Sequence, residues 1–364
     1  MLHCGIVGLP LSGKTTIFNV ITKAGAEVKP YAGGKTDPNR AVVDVPDARF
    51  DSLVIAHEPR KTTPARVEFV DLAGLSRGAG RGEGLGNAFL SFVADADAML
   101  HVIRCFGNDA VEHPEGSVEP ARDWDILEME LIFRDLGVVE NRLGRLSAKK
   151  KPTPEEAAEK ALLDRCHSCL LDERPLREMD LSPEEAPSLR GFSFVTSRPQ
   201  LIVLNMDETQ KSLEDVPGGT DVQRRIERSG ARAITVYGRL EMDLMDLSPE
   251  EASEFTEGLP MSEPARDRLI AGAYSLLGLI SFFTCGPDEV RAWTLHDGDS
   301  ALEAARTIHS DLAKGFIRAQ VVSYDDYSAN NNSFATCRDI GVLRLEGRDY
   351  RVNDGDVIEI RFNI

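Results

Sequence analysis

Residues Gly8 to Thr15 read Gly-Leu-Pro-Leu-Ser-Gly-Lys-Thr and follow directly on the apolar run Cys4-Gly5-Ile6-Val7. The spacing Gly8-x-x-x-x-Gly13-Lys14-Thr15 is the Walker A pattern, and it stands where that pattern has physical meaning, after a strand and before a helix. Glycines let main-chain N–H groups close around phosphate oxygens, and the following helix offers its positive end. On this reading Gly8, Leu9, Pro10, Leu11, Ser12, Gly13, Lys14, Thr15 and Thr16 cradle a nucleotide. Lys14 reaches the terminal phosphates and the Thr15 hydroxyl ligates magnesium.

A second element has the same logic. Val67-Glu68-Phe69-Val70-Asp71 is an apolar strand ending in a carboxylate, followed by Leu72-Ala73-Gly74. Asp71 is placed for the magnesium shell, and the Gly74 N–H for a γ-phosphate. Glycines then recur at 74, 78, 80, 82, 84 and 86. A segment so rich in glycine loses much backbone entropy when it orders, which suits a switch set by the γ-phosphate.

The base is read from a third stretch. In guanine-specific relatives of this loop a strand ends in Asn-Lys-x-Asp, whose carboxylate accepts two hydrogen bonds from guanine. After Leu201-Ile202-Val203-Leu204 this chain has Asn205-Met206-Asp207-Glu208. Glutamate is one methylene too long for the guanine spot, and Met206 removes the lysine stem. Guanine selectivity should be lost and ATP is expected, because such discrimination survives only where the pairing geometry is kept. Asp207 leaves a guanine reading open if it turns toward the base.

Composition bounds the rest. At 364 residues the chain exceeds the usual size of a single core, so two or three domains are expected. With 42% hydrophobic and 28% charged residues it reads as globular and soluble. A formal charge of -18 repels bare nucleic acid, so any RNA contact must be local. No apolar stretch is long enough to span a membrane, and because Met1 to Val7 runs straight into the glycine loop no signal peptide is expected. Six cysteines in a chain this long make no disulfide framework, so a cytoplasmic location is expected. Cys166 and Cys169 are the one close pair, and with no second pair they read as small buried hydrophobes.

Strands are expected at His3 to Val7, Arg66 to Val70, Ala98 to Ile103, Gln200 to Leu204 and Ala233 to Tyr237, alternating with helices as in a parallel sheet. Between Trp124 and Leu189 apolar residues such as Ile126, Leu127, Leu131, Leu136, Val139 and Leu143 recur at helical spacing. This predicts a helical hairpin inserted in the sheet, its tip at Lys149-Lys150-Lys151-Pro152-Thr153-Pro154. With Arg142 and Arg145, that tip is the one basic patch. The last segment carries Asp-Gly-Asp turns at 297–299 and 354–356 around short strands and a helix near 301–314, the pattern of a small mixed domain.

The chain resembles the YchF or Obg-like ATPases, a branch of the translation-factor P-loop NTPases. The matching text is GLGNAFLSFVADADAMLHVIRCF, HPEGSVEPARDWDI and LNMDE, with EVRAWTL, IHSDLAKGFIRAQVVSYDD and LRLEGRDYRVNDGDVIEIRFN late in the chain. The resemblance implies an α/β fold: a P-loop NTPase domain with a mostly parallel sheet at 1–123 and 196–280, an inserted α-helical hairpin at 124–195 and a C-terminal β-grasp, TGS-like domain at 281–364. It also implies ATP preference, with Asn205 and Glu208 at the Asn-x-x-Glu place, and association with ribosomes. Leu75 matches the apolar residue that replaces a water-orienting glutamine in such families, and His113 the histidine proposed for that task. A neutral imidazole there could orient water or accept its proton.

Three departures stand out. The family loop usually reads Gly-Leu-Pro-Asn-Val-Gly-Lys-Ser, and this chain has Leu11 and Ser12, without the asparagine that helps hold potassium in related NTPases. Lys35 stands where a magnesium-binding threonine is expected, with Thr36 one place late. Tyr237-Gly238-Arg239 replaces small residues under the base, ahead of Glu241.

The expectation is therefore a monomeric, magnesium-dependent ATP-binding switch that hydrolyses slowly and works beside the ribosome or its RNA. Lys14, His113 and Gly74 would serve catalysis. Thr15, Asp71 and Thr36 would hold magnesium, and the residues of the phosphate loop with Asn205, Met206, Glu208, Tyr237, Gly238 and Arg239 would hold ATP. A GTPase of the Obg-related class and a non-hydrolysing adaptor are the rivals.

Overall fold

The computed structural model describes residues 2–23, 38–71, 92–108, 110–245, 247–248, 251 and 263–363. The expected Gly74, Leu75, Lys35 and Thr36 lie outside these residues. The described chain divides into two compact units, Met1–Val42 with Glu68–Leu269, and Val43–Val67 with Ile270–Ile364.

The strands in chain order are β1 (His3–Val7), β2 (Asn39–Asp44), β3 (Lys61–Thr63), β4 (Arg66–Asp71), β5 (Ala98–Arg104), β6 (Gln200–Asn205) and β7 (Arg232–Val236), then β8 (Leu279–Cys285), β9 (Glu289–His296), β10 (Phe316–Ser323), β11 (Arg344–Glu346) and β12 (Asp356–Phe362). The first sheet runs β2-β4-β1-β5-β6-β7. Its pairs from β4 through β1, β5 and β6 to β7 are all parallel. The expected α/β sheet is present, and its fully buried central strands explain why β6 reads as the apolar run Leu201–Leu204 and β5 as one interrupted only by His101 up to Ile103.

β1 lies between β4 and β5, and helix α1 (Lys14–Thr22) starts just past its end. The register Ile6↔Asp71 therefore brings the end of β4 level with the end of β1. In open parallel sheets this end of the strands, beside the central one, is where a ligand crevice forms.

The expected hairpin is built from two helices after α2 (Ala48–His57): α3 (Pro120–Ser147) and α4 (Pro154–Leu171). α3 serves two cores. Its first half places Leu127 and Leu131 with Val7, Val70, Met99 and Val195, whereas Ile132, Val139 and Leu146 farther along pack with Leu163, Cys166 and Leu170. The insertion thus begins partway along a helix, with no loop to announce it. At the tip Thr153 caps α4 with a reciprocal pair of bonds to Glu156, a device worth about 1 kcal/mol. Asp135, fully buried, fastens the return of the chain by accepting from Val195 N at 3.1 Å, Thr196 N at 2.8 Å and Thr196 Oγ1 at 2.7 Å.

The second unit has a mixed sheet, β11-β10-β12-β8-β9-β3. β8 and β9 form an antiparallel pair, and β12 returns parallel to β8. Ala301, Ala304 and Ala305 of a helix at Ala301–Ile308 pack on Ile280, Phe282, Val321 and Ile358. The single helix expected near 301–314 is in fact two. His309, with φ -165 and ψ 141, ends the first and caps the second, Ser310–Lys314, by accepting from Asp311 N at 3.2 Å. Both Asp-Gly-Asp turns have their glycine at positive φ, 88 at Gly298 and 87 at Gly355. Among the described residues no helix is long and apolar enough to cross a membrane.

Candidate nucleotide-binding site

The phosphate loop is held open by its backbone. Gly13 is the N-cap of α1 with φ 95, and no side chain caps that helix and no acidic residue stands in its first turn. The first amides of α1 are left for an outside acceptor, in contrast to α2, where Asp47 accepts from Arg49 N. Gly13 has to be glycine for a second reason, since a Cβ there would lie 2.2 Å from Asn205 Nδ2. At Gly8 a Cβ would meet the Val102 carbonyl oxygen at 2.4 Å.

Leu11 is the unexpected feature of the loop. It sits at φ 62, in the left-handed region that glycine and asparagine tolerate and that costs other residues roughly 1–2 kcal/mol. The family asparagine at this place fits the backbone better than the leucine found here.

Lys14 is buried, and its Nζ donates to the Leu9 carbonyl at 2.8 Å. Burial pulls its ammonium down to about 8, against the opposing charge of Asp71. Thr15 Oγ1 donates to Asp71 Oδ2 at 2.8 Å, and Asn39 Nδ2 reaches the same oxygen at 3.3 Å. Burial raises the Asp71 carboxyl above its ordinary value, while the Thr15 bond, the Lys14 charge and Asn39 pull it back. The expected pair Thr15 and Asp71 is therefore together. Two hard oxygens beside an ammonium are a donor set that suits a magnesium ion carrying phosphate. Asn39 was not foreseen, because nothing in its own neighbourhood marks a contact that exists only through the pairing of distant strands.

The residues expected at the base come from the ends of β6 and β7. Asn205, 4% exposed, donates from Nδ2 to the Ser12 carbonyl at 3.0 Å and accepts at Oδ1 from Gly238 N at 3.1 Å. Both ends of its amide are committed to binding one loop to the other. Met206 is buried with Ile103, Trp124 and Leu204. Tyr237 is buried too, its hydroxyl donating to the Gln210 carbonyl at 3.1 Å. Asp207 is turned into its own loop, with Oδ1 accepting from Thr209 N at 3.0 Å and Thr209 Oγ1 at 2.7 Å. Glu208 is exposed. Arg239 extends into solvent, its side chain 82% exposed. Glu241 is buried and accepts from Ala265 N at 2.9 Å.

His113 is buried with both ring nitrogens engaged. Nδ1 accepts from Glu115 N at 3.1 Å, which leaves the proton on Nε2, 2.9 Å from Asp123 Oδ2. The other Asp123 oxygen takes two bonds from Arg122, at 2.8 and 3.1 Å. Burial lowers the His113 imidazole below its ordinary value against the pull of Asp123. His113 and Asp123 share one small space with Leu9, Pro10, Ser12 and Arg104. The histidine is thus beside the phosphate loop, with both ring nitrogens taken by protein partners. Asp123 escaped the sequence reading because an acid in the first turn of a helix ordinarily serves that helix.

The other singled-out residues have structural surroundings. Cys166 and Cys169 are buried in the hairpin core, and Cys169 Sγ donates to the Arg174 carbonyl at 3.5 Å. The basic patch is partly neutralised, because Arg142 forms a two-bond pair with Glu159 at 2.7 and 2.8 Å and Lys149 pairs with Glu156.

Comparison with known proteins agrees with this geometry. A family model described as "50S ribosome-binding GTPase" matches residues 3–133, and a YchF GTPase C-terminal model, described as "Protein of unknown function (DUF933)", matches residues 279–363. The chain is 41% identical over 362 residues to the "Ribosome-binding ATPase YchF" of Escherichia coli O157:H7, covering 99% of each. It is also 41% identical over 367 residues to the protein of that name from Bacillus subtilis (strain 168), covering all of both. The structure of the Schizosaccharomyces pombe YchF GTPase superposes with a TM-score of 0.85 at 34% identity, over 99% of this chain and 97% of that one. With such identity sustained from end to end on a P-loop fold, the chain belongs to the YchF family.

Proposed function

We propose that this protein is a magnesium-dependent ATP-binding switch that hydrolyses ATP slowly and works on the ribosome. The observation that carries it is the Thr15–Asp71 contact of 2.8 Å beside the buried Lys14 ammonium, at the mouth of an uncapped helix. That arrangement fits a nucleotide triphosphate tail. Thr15 and Asp71 would hold the magnesium, with Thr36 from the first switch, and the ion when bound neutralises charge on the β- and γ-phosphate oxygens. Lys14 would leave the Leu9 carbonyl for the phosphates, and the first amides of α1, with Gly74, would add hydrogen bonds where negative charge accumulates. His113, once free of Asp123, would orient the water that attacks the γ-phosphorus as the bond to the β-phosphate oxygen breaks.

ATP is favoured over GTP by the Asn205–Glu208 stretch. Asp207 is committed to Thr209, and Glu208 projects into solvent, so the region offers no prearranged carboxylate for guanine. The relatives' names divide on the nucleotide, ATPase for the bacterial proteins and GTPase for the fission-yeast structure. Residues 281–364 would form the TGS-like domain and 124–195 the inserted arm, both turned to the ribosome. A non-hydrolysing adaptor is the second reading, favoured by the engaged state of His113.

Calorimetry with ATP and GTP in competition tests the assignment. ATP is expected to bind more tightly, and Lys14→Ala to abolish uptake. Equal ATP binding by Lys14→Ala would remove this loop from the argument.

A further inference from the structure

We propose that Asp123 is a positioning residue that holds His113 in a parked state, and that hydrolysis requires this contact to break. The inference rests on the proposed ATPase reading and concerns what restrains it. In the parked state neither ring nitrogen has a lone pair or proton to offer water, because Glu115 N occupies one and the Asp123 carboxylate the other. The two holders differ in kind. Asp123 lies in the first turn of a 28-residue helix and is itself fixed by Arg122, whereas His113 lies on a short turn whose one main-chain bond runs from Gly116 N to the His113 carbonyl. When the contact opens, the histidine is the partner that moves.

Arg122 keeps its two bonds to Oδ1 when the contact opens, but Oδ2 loses its donor inside the protein, so the latch opens at least cost where a second donor is at hand for that oxygen. Arg104 supplies one. Arg104 is 2% exposed, with Nε donating to the Phe106 carbonyl and Nη2 to the Val111 carbonyl, while Nη1 has no hydrogen-bond partner among the described residues. It lines the same small space as His113 and Asp123. A spare donor in a space too tight for a water molecule has a use if Asp123 exchanges His113 for Arg104. Leu9, Pro10 and Ser12 also line this space, and the Ser12 hydroxyl is likewise without a partner among the described residues, so a phosphate loop tightening on ATP acts on it directly.

The test uses the full chain and single-turnover ATP hydrolysis, with ATP affinity measured in parallel. Asp123→Asn keeps the shape and loses the charge that strengthens the bond, so hydrolysis is expected to rise roughly fivefold with affinity unchanged. The gain is expected to vanish in Asp123→Asn combined with His113→Ala. A fall in Asp123→Asn to the level of His113→Ala would overturn the proposal, since Asp123 would then orient a working histidine, and so would an unchanged rate. The second measurement needs no variant that might misfold. With histidine labelled by nitrogen-15, the nucleotide-free protein is expected to show protected imidazole N–H groups from its two buried histidines, His101 and His113, and the one hydrogen-bonded to Asp123 is expected to lose its protection on adding a nonhydrolysable ATP analogue. Protection that persists with the analogue bound overturns the latch. If instead His113→Ala hydrolyses as fast as the unaltered protein, hydrolysis does not depend on releasing His113 and the proposal falls, while the ATPase reading stands.

Discussion

The side-chain amide of Asn205 donates to the main-chain carbonyl of Ser12 at 3.0 Å, joining the end of β6 to the phosphate loop across 193 positions of sequence. Its oxygen meanwhile accepts from Gly238 N, so one residue sets the distance between the phosphate loop and the start of the helix after β7. Asn205→Ala would leave a buried carbonyl and a buried N–H unsatisfied, about 1–3 kcal/mol for each. The expected result is a lower melting temperature together with weaker binding of both ATP and GTP by the same factor, because the clamp makes no distinction between bases. Unequal losses in a calorimetric comparison would mean that Asn205 contacts the base itself.

Lys14 gives a pH dependence of definite sign. In the nucleotide-free fold its ammonium is depressed to about 8 from an ordinary value of 10.5, by burial. Between these values the unfolded chain binds more protons than the folded one, so Lys14 makes stability rise with pH across that window and contributes least below 8. Nucleotide affinity should move the opposite way, since phosphate requires the charged form. ATP binding is expected to weaken above pH 8 and to take up a proton there, read from calorimetry at pH 8.5 in two buffers of different ionisation enthalpy. Proton release would contradict the role given to Lys14.

Leu11 at φ 62 offers a substitution that improves the fold. Asparagine is several-fold enriched in the left-handed region, so Leu11→Asn is expected to stabilise the nucleotide-free protein by about 0.5–1 kcal/mol. The side chain is only partly buried, so little packing is lost with it. Urea titration checks the prediction, and a destabilised variant would show that the leucine packs on a segment whose contribution outweighs the strain.

These residues mark how far the sequence could be read. The phosphate loop, Asp71 and the helical hairpin were legible because each is specified locally, by spacing, by a strand ending in a carboxylate, or by period. The inclusion of residues 43–67 in the second unit was not. Its strand Lys61–Thr63 is three residues long and pairs in register with Glu289–Arg291, a partner more than two hundred positions away that leaves no mark on its own composition. The same holds for Asp123 beneath His113 and for the break at His309. In each case the deciding interaction is tertiary, and the local pattern permits it without requiring it.

Asp135 provides a test of how the arm is anchored. It is fully buried and holds Val195 N, Thr196 N and Thr196 Oγ1 as well as Arg134, at 2.6 Å. Asp135→Ala leaves Arg134 with the Ser193 carbonyl alone and strands two backbone donors and the Thr196 hydroxyl, a loss on the order of 3–5 kcal/mol. The expected outcome in urea is a large drop in midpoint, while ATP affinity measured under folding conditions stays near that of the unaltered protein. A loss below 1 kcal/mol would mean that water replaces the carboxylate, which the burial of this residue argues against.

The hairpin tip allows the ribosome assignment to be tested at the level of charge. Arg142 and Lys149 are paired with Glu159 and Glu156, so among the described residues the cations there without an ion pair are Arg145, Lys150 and Lys151, all exposed. In a chain of net charge -18, a phosphate contact at this arm depends on those three. Each phosphate neutralised contributes about 0.7–0.9 to the slope of log binding constant against log salt concentration. Replacing Lys150 and Lys151 together by alanine is therefore expected to reduce that slope by roughly 1–2 for RNA or ribosome binding. Arg142→Ala should leave the slope nearly unchanged, because its charge is already balanced by Glu159. If the slope stays the same in the double variant while binding persists, the arm does not touch phosphate, and the contact with the ribosome lies on another face of the protein.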